Sequence, residues 1–226
     1  MEGLCQRRDL AADWTLQKVM APLNRMIFII CTMAKPKSTK SKITFRPATK
    51  PEWKKLTELF GERGACAGCW CMFWRIPRSE YKANSGDGNK RALKKLVDSG
   101  AVPGILAFDG DRAIGWCSVA PREEFPGLER ARTLKPLDEI PVWSIVCLFV
   151  DKEYRRQGVA VKLIDAAAKF VKKSGGRMVE GYPVISRKGM MPDAFAFTGL
   201  PSAFEQAGFE IVKKPTPSRA IVRKQV

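Results

Sequence analysis

Residues 154–160, YRRQGVA, join an apolar run, VWSIVCLFV at 142–150, to a helix-like run, VKLIDAAAKFVKK at 161–173. A helix N-terminus presents unpaired N–H groups and a partial positive charge, so a strand–loop–helix junction is a natural seat for phosphate. Gly158 lets the backbone approach an anion closely, and small Ala160, which follows Val159, keeps the first turn open. Arg155 and Arg156 add charge, and Gln157 can donate a hydrogen bond. On the local pattern alone, a tight turn with solvated arginines has about equal weight, because short glycine motifs recur by chance.

A second stretch, CAGCWCMFWR at 66–75, gathers Cys66, Cys69 and Cys71. A structural zinc takes four ligands. The chain has no histidine and no second cysteine pair, so no metal is expected. In extended form the stretch would turn Cys69, Cys71 and Phe73 to one side and Trp70, Met72 and Trp74 to the other. Ser144 and Cys147 lie in the apolar run, where Cys147 reads as a small buried hydrophobe.

The elements that must hold these residues follow from periodicity. ITFRPAT at 43–49 alternates like a strand, and PEWKKLTELFGERG at 51–64 follows as a helix with Trp53, Leu56, Leu59 and Phe60 on one face. After the cysteine stretch and a polar segment, KRALKKLVDSG at 90–100 reads as a short helix. GILAF and RAIGWCSVA flank DGD at 109–111 as a hairpin. Following a loop at 121–141, VWSIVCLFV is apolar enough for a strand covered on both faces. The next helix carries Ala160, Leu163, Ile164, Ala167, Phe170 and Val171 as its apolar stripe and stops at Gly175. RMVEGYP is a strand, SAFEQAG a helix, and FEIVKK and RAIVRK are closing strands. Residues 1–42 lack a sustained period and end in KPKSTKSK, the pattern of a flexible basic tail before one domain at 43–226.

Composition narrows the class of protein. A 226-residue chain with 45% hydrophobic residues suits a globular core. Seven unevenly spaced cysteines do not make a disulfide scaffold, and a cytoplasmic setting is expected. MIFIICTMA at 26–34 is roughly half the length of a membrane-spanning helix. The net charge of +17 attracts polyanions without choosing among them. Nucleic acid is a conceivable partner, but no RNA-reading strand motif is visible.

The stretch LFVDKEYRRQGVAVKLIDAA resembles the acyl-CoA binding signature of the GNAT superfamily of N-acyltransferases, with Arg155, Gly158 and Ala160 at the characteristic positions. The order of elements over 43–226 is similar to that family's as well. The resemblance implies an α/β fold with a mixed, mostly antiparallel central sheet, flanking helices and a splayed central strand pair. It also implies acetyl-CoA as acyl donor, its pyrophosphate on the amides of Arg156 to Ala160 and its pantetheine arm along the strand backbone near Leu148 and Val150. The acceptor would be an amine whose identity is open.

Direct acylation of an amine needs a base and a proton for the leaving thiolate. With no histidine available, Glu180 is the candidate base and Tyr182 the candidate donor, because both fall on one face of the strand beside the implied cleft. An exposed carboxylate and a core tyrosine are the plainer readings. The family often places a tyrosine acid four residues before the glycine of a Gly-Phe pair, but this chain has Phe204 there. Cys147 could in principle carry an acyl group. The region between the first two helices serves the acceptor in the family, which makes Cys69, Trp70, Cys71 and Trp74 candidate acceptor-binding residues, with core packing the equal alternative. An acyl-CoA-binding module without turnover, or a nucleic-acid or ribosome-associated protein, would be the other functions compatible with these features.

Overall fold

The computed structural model describes residues 42–186 and 195–226. The expected basic tail therefore lies outside the described residues, except for residue 42. The described residues form a seven-stranded sheet in the order β1-β2-β3-β4-β5-β7-β6. The strands are β1 (Thr44–Pro47), β2 (Gly104–Asp109), β3 (Arg112–Pro121), β4 (Trp143–Val150), β5 (Met178–Gly181), β6 (Glu210–Thr216) and β7 (Arg219–Gln225). Every neighbouring pair is antiparallel except β4 and β5. This is the mixed, mostly antiparallel α/β sheet that the sequence order implied.

Two apolar layers cover the sheet. On one face Leu56 and Phe60 of α1 (Trp53–Phe60), Leu93 of α3 (Asp87–Asp98) and Leu128 of α4 (Pro126–Arg130) pack with Trp116, Phe108 and Val146. On the other, Val159, Leu163, Ile164, Ala167 and Val171 of α5 (Val159–Lys173) join Phe204 of α6 (Pro201–Gln206) against Ile105, Val119, Ile145 and Val179. The stripe read from the sequence is the buried side of α5, although Ala160 and Phe170 are only partly covered. The β2–β3 turn closes on Gly110 and Asp111, with Gly110 at φ 58° supplying the left-handed first position that such a hairpin takes.

Two expectations change. The polar segment before residue 90 contains a helix, α2 (Arg78–Ala83), and α3 starts earlier than the apolar spacing placed it. None of the α2 residues is buried, so no apolar stripe marked it. The cysteine stretch is also not extended. Ala65, Ala67, Trp70 and Cys71 all have positive φ, and successive turns bury Trp70, Cys71 and Met72 together. A period of two fails where the backbone leaves the β region repeatedly.

Two features of β4 organise the site. Ser118 pairs with Cys147 and Val119 with Ile145, which leaves Val146 as an extra, bulged residue. Pairing between β4 and β5 is limited to Trp143–Val179, Ser144–Glu180 and Ile145–Gly181. Beyond Ile145 the two strands splay apart, as the sequence resemblance implied.

Candidate active site

The β4 strand runs into a short 3₁₀ turn, Lys152–Tyr154, and then into α5. Gly158, the N-cap of α5, sits at φ 76° and ψ 8°, and no side chain caps the helix. An L-residue in that left-handed conformation costs roughly 1–2 kcal/mol, so the position favours glycine. A Cβ placed on Gly158 would meet no atom within 4 Å, which leaves open space in front of the helix N-terminus. Surface pairs hold the turn in place. Arg112 reaches Asp151 at 2.9 Å and Glu153 at 2.8 Å, and the Tyr154 hydroxyl donates to Asp109 at 2.8 Å.

A cleft of about 840 Å³ extends from this turn into the splay. It is lined by seven of the eight residues expected to hold the donor: Leu148, Val150, Arg155, Arg156, Gly158, Val159 and Ala160. The eighth, Gln157, turns back, its Nε2 donating to the Glu153 carbonyl at 2.7 Å. The opposite wall comes from Ala196, Gly199, Leu200 and Ala203, which sequence reasoning missed. Their approach to β4 is set by tertiary packing, and the GL pair before Pro201 was the one local signal of a turn there.

The segment 197–199 is bonded to both arms of the splay. The Leu148 N–H donates to the Phe197 carbonyl at 2.6 Å, and the Val184 N–H donates to the Gly199 carbonyl at 2.9 Å. Arg219 fixes the same segment from β7, its Nη1 donating to the Tyr182 carbonyl at 2.7 Å and to Thr198 Oγ1 at 2.8 Å. Gly199 has φ 87°, and a Cβ there would come within 2.7 Å of the Phe204 ring and 2.9 Å of Leu148 Cδ1. Phe204, at the position of the family's tyrosine, is fully buried and fills the splay with an aromatic ring instead of a hydroxyl.

Glu180 and Tyr182 come together, but deep in the protein. Glu180 is 1% exposed and Tyr182 0%. The Tyr182 hydroxyl donates to Glu180 Oε1 at 2.8 Å, accepts from Arg122 Nη1 at 2.7 Å and lies 2.9 Å from Ser144 Oγ. Glu180 Oε2 accepts from Arg223 Nε at 2.7 Å, while Arg122 Nη1 lies 3.3 Å from Oε1. Each arginine reaches a second carboxylate, Glu129 for Arg122 and Asp138 for Arg223. Burial, reinforced by the adjacent carboxylate, pushes the Tyr182 phenol well above its usual range, so it keeps its proton at neutral pH. Two guanidinium groups flank the Glu180 side chain, one on each oxygen. The arrangement is a fixed carboxylate and phenol facing β4 through Ser144, with Arg122 as the partner that the sequence did not point to.

The four candidate acceptor residues lie in the apolar layer beside α1 or at its edge. Trp70 packs on Trp53 and Phe60, with ring centroids 6.3 and 5.5 Å away. Cys71 accepts from Trp116 Nε1 at 3.0 Å, Cys69 Sγ approaches the Gly64 carbonyl at 3.5 Å, and Trp74 packs edge-on against Phe73. Among the described residues no group of three His, Cys, Asp or Glu side chains is arranged to hold a metal ion.

Residues 70–181 match the model of the acetyltransferase (GNAT) family. The chain carries a GNAT-family domain. Comparison with curated protein sequences gives no match. Among solved structures, the GNAT domain is similar to agmatine N-acetyltransferase in its apo form, at 13% identity over 81% of this chain and 99% of that one, with a TM-score of 0.50. A PaiA N-acetyltransferase from Thermoplasma acidophilum, in complex with coenzyme A, matches at 17% identity over 82% and 99% of the two chains, with a TM-score of 0.46. A GNAT-family acetyltransferase from Listeria monocytogenes gives 10% identity, 82% and 96% coverage and a TM-score of 0.49. At these identities the agmatine enzyme supports the GNAT fold alone. Among the described residues, no helix of the GNAT domain is long and apolar enough to cross a membrane.

Proposed function

We propose that the chain is an N-acetyltransferase that moves the acetyl group of acetyl-CoA to an amine by direct attack. The observation that carries this reading is a single cleft joining the uncapped N-terminus of α5 to the β4–β5 splay. Pyrophosphate is assigned to the 156–160 amides, where the helix dipole and the open space before Gly158 favour an anion. The pantetheine arm is assigned to the wall formed by Leu148 and Val150. Because the Leu148 N–H is engaged by Phe197, donor binding exchanges that acceptor for one on the arm, or moves segment 197–199 with it.

In this reading Glu180 and Tyr182 handle protons at the root of the splay. The protonated phenol is the donor side, and the carboxylate, held by Arg122 and Arg223, is the acceptor side reached through Tyr182 and Ser144. The turns carrying Cys69, Trp70, Cys71 and Trp74 back the acceptor's side of β4. The test is acetyl-CoA calorimetry followed by detection of free CoA with a library of amines. Saturable binding with amine-dependent CoA release supports the enzyme. Binding without release for any amine would make the chain an acyl-CoA-binding module, and absence of binding at millimolar acetyl-CoA would remove both.

A further inference from the structure

The cysteine stretch singled out in the sequence has a partner on β4. Cys71 Sγ lies 3.2 Å from Cys147 Sγ, although the residues are 76 positions apart. Both are buried, at 4% and 8% exposure. About 1 Å of further approach reaches the ~2.05 Å of a disulfide. The hydrogen bonds around the pair run in one direction: the Trp116 indole N–H donates to Cys71 Sγ at 3.0 Å, and Cys71 Sγ in turn donates to Cys147. Cys117, the other buried thiol on the sheet, belongs to the opposite apolar layer.

We propose that Cys71 and Cys147 form a redox-modification site that a small hydroperoxide closes to a disulfide. Cys147, which receives the Cys71 S–H, attacks one peroxide oxygen. The O–O bond breaks, Cys147 becomes a sulfenic acid and one water leaves. Cys71 then attacks the Cys147 sulfur, the S–O bond breaks, and the hydroxyl departs as a second water with the Cys71 proton. Two thiols lose two electrons in all, and hydrogen peroxide is reduced to two waters. The hydrogen bond to Cys147, together with burial, pushes the Cys71 thiol well above its usual range, so Cys71 is not the thiol that attacks the peroxide first. The new bond ties the turns at 61–77 to β4 one residue before Leu148, at the mouth of the splay. Nothing in this chemistry depends on acetyl transfer.

The experiment treats the full chain with hydrogen peroxide, blocks remaining thiols and maps peptides without reduction. The expected product is a peptide pair linked through Cys71 and Cys147, restored to free thiols by dithiothreitol. Dimedone added during oxidation should trap the Cys147 sulfenic acid and suppress the link in the unmodified chain. Cys71→Ser should stop at the sulfenic acid, and Cys147→Ser should leave Cys71 reduced. Peroxide that leaves Cys147 as a free thiol, drives it only to irreversible acids, or links Cys66 to Cys69 instead would overturn the proposal. The dimedone competition needs no mutation, so it decides the matter even where Cys71→Ser does not fold.

Discussion

Glu180→Gln separates an anchoring role from a chemical one. The carboxylate is almost wholly buried and meets Arg223 at 2.7 Å and Arg122 at 3.3 Å, so neutralising it leaves two guanidinium groups short of a counter-charge. Removing one member of a buried ion pair costs about 3–5 kcal/mol. The low end applies here, because Glu129 and Asp138 still serve the arginines and the amide retains an oxygen for Tyr182. A loss of about 3 kcal/mol in a domain of this size lowers the melting temperature by roughly 6–12 °C. Scanning calorimetry of both proteins at pH 7 reads that shift directly. A melting temperature within about 2 °C of the unmodified protein, a shift worth at most about 1 kcal/mol, would refute the anchoring argument. Turnover per folded molecule, measured well below the lowered midpoint, should fall about a hundredfold or more if the carboxylate also accepts a proton. A large stability loss with unchanged turnover leaves Glu180 as an anchor and ends its assignment as base.

The other predictions concern the donor cleft and pH. Gly158→Ala should lower stability by roughly 1–2 kcal/mol in denaturant titration through its positive φ, while Gly158→Asp should in addition abolish acetyl-CoA binding by calorimetry, since it puts negative charge where pyrophosphate is assigned. Acetyl-CoA at a hundred times its Kd should stabilise the protein by about 2.7 kcal/mol and change hydrogen exchange at the Leu148 amide; an unaltered Leu148 amide with saturating donor would move the pantetheine arm elsewhere. At alkaline pH the raised phenol of Tyr182 binds its proton more tightly folded than unfolded. Its contribution is complete below the usual tyrosine pKa of about 10 and is lost as pH rises beyond it, so Tyr182→Phe should flatten the alkaline limb of a melting profile. In acid the sign reverses for Asp138, whose carboxyl is held below its usual range by Arg223: its contribution is present at neutral pH and fades as pH falls through the folded value, and Asp138→Asn should weaken that acid dependence.

The parts of the site that were legible in the sequence are those set by local backbone chemistry. A glycine at a strand-to-helix junction marks a tight turn, and Gly158 stands at the N-cap of α5 with positive φ. The apolar length of β4 and the stripe of α5 announce burial, and residues 144–147 of β4 and most of the α5 stripe are buried. What stayed hidden is set by distant packing. Arg122 opens a short 3₁₀ turn 58 residues before Glu180, and its sequence neighbourhood reads as solvated charge. Ala196, Gly199 and Ala203 shape the cleft without carrying chemistry of their own. In the cysteine stretch, three non-glycine residues at positive φ, with Ala65 just before them, defeat any periodic reading, because pattern methods assume one backbone conformation along the window.

The bulge at Val146 works as a phase shifter. Before it, Ser144 points with Tyr182 while Ile145 packs toward α5; after it, Cys147 and Phe149 join the α1 layer while Leu148 and Val150 go with α5. Odd and even positions have exchanged faces within one strand. Ironing out the bulge with Val146 still in the strand would restore uniform alternation and invert everything downstream, carrying Leu148 and Val150 to the α1 side and Cys147 away from Cys71. Losing the codon for Val146 would instead remove the extra residue and leave Cys147, Leu148 and Val150 on their present faces, so the register in which β4 meets β3, more than the identity of residue 146, decides which side chains reach the cleft.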